Sequence, residues 1–169
     1  MNQVFPEICS APLGHAPPGS IAVIPRAEGS LLALVTDESK RKDLRSIVLL
    51  NLTFPNQPSV ALHDNWGAGD VCLYYKTPLR FELNGDEKNI DVTGNWWRTV
   101  GLIVSANGEY LIRAAVSHSG FRYINVQTGS VVSNELPRFY AAFGSWSIWL
   151  RDPLHKRDAM IFEFKMASA

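Results

Sequence analysis

Roughly every ten residues, a cluster of glycine, asparagine or proline interrupts a short run of valine, isoleucine, threonine and aromatic side chains. The runs include SIAVI, SLLALVT, RSIVLLNLTF, TVGLIVS, EYLIRAAVS, FRYINV, GSWSIWL and AMIFEFKM; the separators include AEG, NWGAGD, NGDEK, SANGE and VQTG. Branched and aromatic side chains fit a pleated, half-buried surface, and a turn after each short run sends the chain back on itself. This rhythm predicts an all-β fold, an antiparallel sandwich or barrel of about 10–12 short strands.

Period-two alternation supports the same class. Trp146, Ile148 and Leu150 share one face of their run against Ser145, Ser147 and Arg151, and Tyr110, Ile112, Ala114 and Val116 share another. In the last run Met160, Phe162, Phe164 and Met166 are predicted to face one way, with Glu163 and Lys165 opposite. Asn107-Gly108 and Asn84-Gly85 have the residue types of tight hairpin turns. The charged stretch TDESKRKDLRS (36–46) has no apolar stripe, so it reads as a polar loop or one solvated turn. Residues 101–132, with an S-x-N-G-x-Y-L hairpin and a closing V-x-T-G, resemble a single blade of a WD-repeat or similar β-propeller. A propeller needs repeats of about 40 residues. No second copy aligns, so no family is assigned.

Residues 1–19 carry four prolines together with Val4, Phe5, Ile8 and Leu13. Proline fixes φ and removes an amide donor, which predicts an irregular, extended arm. Its apolar side chains predict that it lies across a surface, on its own domain or a neighbour. Residues 20–169 then form a single β-rich domain.

Sixteen basic and sixteen acidic residues balance in a chain of 169. Without a net field, nucleic-acid and membrane partners are disfavoured. Cys9 and Cys72 belong to no metal or disulfide pattern. The N-terminal residues lack the basic and apolar regions of a leader, and no run matches a membrane helix. The expectation is a soluble, cytoplasmic protein without a metal or cofactor.

The most chemically loaded stretch is LHDNWGAGDVCLYY (62–75). His63 as a general base with Asp64 or Asp70, or Cys72 as a nucleophile, are the catalytic candidates. Neighbouring strand positions point to opposite faces, so His63 and Asp64 converge only if the backbone bends. A turn built from Asx residues and two glycines explains the stretch more simply, with Cys72 as a small core residue. His118 in VSHSGF has flanking serines but no nucleophile elbow.

The aromatic groups suggest binding rather than catalysis. Trp96, Trp97 and Arg98 open one run, and Trp149 falls on the face opposite Trp146, close to Arg151. An indole beside an arginine can stack on a sugar, a base or a partner side chain. The leading expectation is a non-enzymatic module that binds a protein partner or itself as a homo-oligomer. A small-molecule or carbohydrate-binding β-barrel or sandwich is the alternative, and a small hydrolase comes third.

Overall fold

The computed structural model describes residues 8–39, 41–51, 60–75, 79–84, 99–116, 120–132, 141–151 and 158–166, and no α-helix occurs among them. The fold is all-β, with two layered sheets of mostly antiparallel strands. The larger sheet begins with β1 (Ile8–Pro12), β2 (Ile21–Arg26), β3 (Gly29–Val35), β4 (Leu44–Leu49), β5 (Ala61–Gly67) and β6 (Val71–Tyr75). It continues with β8 (Ile103–Ala106), β9 (Glu109–Val116), β10 (Phe121–Asn125), β11 (Val131–Val132) and β12 (Ala141–Phe143). The smaller sheet contains β7 (Leu79–Leu83), β13 (Ser145–Arg151) and β14 (Asp158–Lys165).

The hydrogen-bonded order of the large sheet is β1-β6-β2-β3-β4-β5-β9-β10-β11, with β8 and β12 branching from β9. The ladder ends at β1 and β11, so the described strands do not close into a barrel. One contact departs from the antiparallel expectation: β5 meets β9 in parallel through Ala61–Ala115 and Leu62–Val116. Residues 101–132 do form an antiparallel meander, β8 to β11, but β9 also joins β5 and β8 joins β12 within one continuous sheet. That continuity separates it from a propeller blade.

The large sheet is strongly coiled. Only Ala68–Asp70 lie between β5 and β6, a reach of roughly 14 Å from Gly67 to Val71 at full extension. Four strand spacings separate β5 from β6 in the ladder, at least about 19 Å if the sheet were flat. The two strands also run in the same sense, so the end of one and the start of the other are diagonal corners of the sheet. Coiling brings these corners together. A row of pairings across the concave face shows how the sequence permits it: Cys9, Tyr74, Ala22, Ala33, Leu49, Ala61 and Ala115 succeed one another through the register. Four of the seven are alanines, and a concave face has the least room for side chains.

A second close approach joins the turn after β10 to the end of β3. Gly19 donates its amide to Val35 O at 2.8 Å, and Asp37 donates to Gly129 O at 3.1 Å. Gly19 and Gly129 both have positive φ, and a Cβ on either would collide with backbone.

The arm expectation needs correction for residues 8–15. They are regular: Ile8–Pro12 pairs with β6 from Ile8–Tyr75 to Pro12–Val71, and Leu13–His15 is a 3-10 turn with Leu13 fully buried. Pro12 closes the strand rather than interrupting it, and an edge strand tolerates proline there. Residues 1–7, with Val4 and Phe5, lie outside the described residues.

The small sheet covers the core with one face. Trp146 and Ile148 are fully buried there, and Trp146 packs against Phe81, Phe162 and Phe164. The alternation expected for the last run breaks at one point. The ladder slips between Ile148–Phe162 and Trp149–Met160. A bulge adds one residue and reverses every side chain beyond it. Met160 therefore stands on the outer face, 51% exposed, instead of beside Phe162.

Candidate functional site

The stretch HDNWGAGD is mostly strand. His63 to Gly67 belong to β5, and the turn is confined to Ala68–Asp70. The bend that the sequence reading assigned to the glycines occurs earlier. The β4–β5 register passes from Ile47–His63 to Arg45–Trp66, so Asp64 and Asn65 stand together opposite Ser46. This bulge puts His63 and Trp66 on the same face, their rings edge to face at 6.2 Å. Burial pulls the His63 pKa down, and the charge of Asp64 offsets part of that effect.

Asp70 is engaged elsewhere. Its carboxylate meets Arg26 at 3.5 Å, and its backbone carbonyl accepts from Leu13 at 2.8 Å. Cys72 is fully buried on the concave face, and burial pushes its thiol pKa up. That shift disfavours the thiolate a nucleophile needs. Among the described residues no three His, Cys, Asp or Glu side chains gather where a metal could bind.

Polar side chains gather at the corner where the coiled sheet meets itself. The Arg26 guanidinium lies over the Trp66 ring at 4.6 Å. Arg45, paired with Trp66, donates through Nη2 to Ala16 O at 3.2 Å. The sequence reading missed Arg26, Arg45 and Trp66 because only coiling brings β2 against β5.

Of the binding candidates, Trp96, Trp97 and Arg98 lie outside the described residues. Trp149 is half-buried on the outer face of the small sheet. Its indole N–H donates to Ser147 Oγ at 2.8 Å, and Asn84 Nδ2 donates to the same hydroxyl at 3.0 Å. Arg80 lies over its ring at 6.0 Å, held in turn by Asp158 at 2.9 Å. Arg151 ends β13, paired with Asp158.

Two surfaces remain. One is a cleft of about 540 Å³ between the sheets, lined by Pro17, Pro18, Tyr74, Tyr75, Leu79 and Phe81 among others, with no charged residue among the described residues of its wall. The other is the outer face of the β1–β6 ribbon. Register places Ile8 beside Tyr75, Ser10 beside Leu73 and Pro12 beside Val71. Ile8, Leu73 and Val71 are 44%, 37% and 60% exposed. No protein family, curated protein or solved structure matches the chain. No helix among the described residues is long and apolar enough to cross a membrane.

Proposed function

We propose that this chain is a self-assembling interaction module that pairs with a second copy of itself through the β1–β6 ribbon. One observation carries the reading. Of the five large hydrophobic side chains exposed among the described residues, three (Ile8, Val71 and Leu73) share the outer face of this ribbon. Among the described residues the ribbon also ends the sheet, and no described strand pairs with the outer edge of β1. Edge strands that avoid pairing usually carry charge, whereas Ile8–Pro12 carries none. A second copy offers the same strand in antiparallel orientation, which makes the contact isologous. With zero net charge, the copies do not repel one another as wholes.

Light scattering coupled to size exclusion tests this proposal. The expected mass is twice that of the chain, falling to the single-chain value in Val71→Lys/Leu73→Lys, which replaces the apolar outer face of the ribbon with like charges on both copies. A single-chain mass for the unsubstituted protein up to its solubility limit would refute the reading.

The cleft favours a second reading, a small-molecule site. Its volume lies in the usual range for such sites, and the described residues of its wall, aromatic and uncharged, suit a neutral ring-bearing ligand. Calorimetry with neutral sugars and uncharged aromatic compounds tests it, with Tyr75→Ala expected to abolish any heat observed. No heat from either class removes the reading.

A further inference from the structure

Two buried hydrogen-bond donors meet no acceptor among the described residues at the corner formed by β2, β4 and β5. Trp66 Nε1 and Arg45 Nε are both buried, and neither has a partner among the described residues. They come from directly paired residues on the same face of the ladder. Buried donors are almost always satisfied, so two adjacent orphans call for an acceptor. Charge narrows the choice. Asp70 offsets Arg26 at 3.5 Å. Arg45, by contrast, is half-buried and has only the neutral carbonyl of Ala16 as a hydrogen-bond partner among the described residues. A water would satisfy the N–H groups but leave the guanidinium charge uncompensated, whereas an anionic oxygen does both.

We propose that this corner binds a small oxyanion, a carboxylate or a phosphate, one oxygen of which accepts from Trp66 Nε1 and Arg45 Nε. Arg26, whose charge Asp70 offsets, lies over the indole face and leaves the N–H of the ring to the anion. The proposal concerns the inner corner rather than the outer face of the β1–β6 ribbon, and its test is read independently of self-assembly.

Nuclear magnetic resonance on the ¹⁵N-labelled full chain provides the test. The indole N–H signal of Trp66 is identified by its disappearance in Trp66→Phe. It is then followed during separate titrations with inorganic phosphate and acetate, with chloride at matched ionic strength as the control. The expected result is a saturable shift of that signal with at least one oxyanion, and which anion produces it separates phosphate from carboxylate recognition. Arg45→Gln is expected to weaken the binding about tenfold or more, as loss of a charged hydrogen-bond donor does. If that variant does not fold, Arg45→Lys keeps the charge, removes the fork and is expected to weaken binding in the same direction. The proposal is overturned by an unmoved Trp66 signal, by an equal shift with chloride, or by unchanged affinity in the folded Arg45 variant.

Discussion

The indole N–H of Trp146 donates to the carbonyl oxygen of Gly101 at 2.7 Å, tying the small sheet to the large one through a buried hydrogen bond. The same indole stacks on Phe164 at 5.4 Å. Gly101 has a φ of 89°, and a Cβ there would enter the Phe164 ring. Donor, ring and glycine form one interlocked contact. Trp146→Phe keeps most of the apolar bulk but orphans the Gly101 carbonyl, so it should cost about 1–3 kcal/mol. Trp146→Ala should cost about 3–5 kcal/mol. Urea denaturation of the two variants measures both, and unchanged stability in Trp146→Phe would show that the hydrogen bond contributes nothing.

The crossing of Gly19 and Gly129 yields a sharper contrast. A side chain at Gly129 would meet Val35 O, and the Gly19 amide nitrogen lies 2.6 Å from the same position. Backbone cannot swing aside as a side chain can. Gly129→Ala should therefore cost more than about 2 kcal/mol, or abolish folding, by combining a clash with a positive-φ penalty. Gly69→Ala is the control. Nothing lies within 4 Å of its Cβ, and the change should stay within about 0.5 kcal/mol. The melting temperatures of the two variants compare them directly.

The concave alanine row makes a similar claim about packing. Ala33 is fully buried between Ala22 and Leu49 in the register. Ala33→Leu adds three carbons where coiling leaves no space and should cost about 1–3 kcal/mol by overpacking. The outward Ser30→Leu, on an exposed position of the same strand, should be near neutral. Chemical denaturation of both decides whether the face is as tight as the register implies.

The fold class was legible because alternation and turn residues act locally. Asn107, at φ 52°, and Gly108, at φ 80°, turn the β8–β9 hairpin as their residue types require. What stayed hidden depends on pairing between distant strands. The bulge at Asp64–Asn65 and the slip opposite Ile148–Trp149 each change which side chains share a face, and neither leaves a composition signal. For that reason Met160 was expected inside and Trp66 was never grouped with His63. The aromatic emphasis fell on tryptophans because they are conspicuous, whereas the cleft uses Tyr74, Tyr75 and Phe81, which look like ordinary strand residues until two sheets face each other.

His63 gives the fold a predictable acid response. Burial lowers its pKa below the usual 6.5 in the folded state, so at mildly acidic pH the unfolded chain binds more protons than the folded one. Stability then rises with pH through that interval and stops changing on this account above pH 6.5. His63→Gln removes the titration and should flatten the slope below pH 6.5 while leaving the difference between pH 7 and 8 unchanged. Denaturation midpoints across this range test it; an unaltered acid slope would assign the response to other groups.

The two thiols lie on the same face of the ribbon and report on the proposed assembly in opposite ways. Cys72 is fully buried and its thiol pKa is raised, so it should react with a disulfide reagent only as the domain opens. Cys9 is half-buried on β1, the strand whose free edge would pair with a second copy. In the single chain Cys9 should therefore be modified first and rapidly. Pairing of β1 edges covers it, so its rate should fall as protein concentration rises, while that of Cys72 should not change with concentration. In Val71→Lys/Leu73→Lys the concentration dependence at Cys9 should vanish. Mass spectrometry of the labelled peptides follows both sites in one experiment. A Cys9 rate independent of concentration, in a protein that does dimerise, would place the interface on another surface.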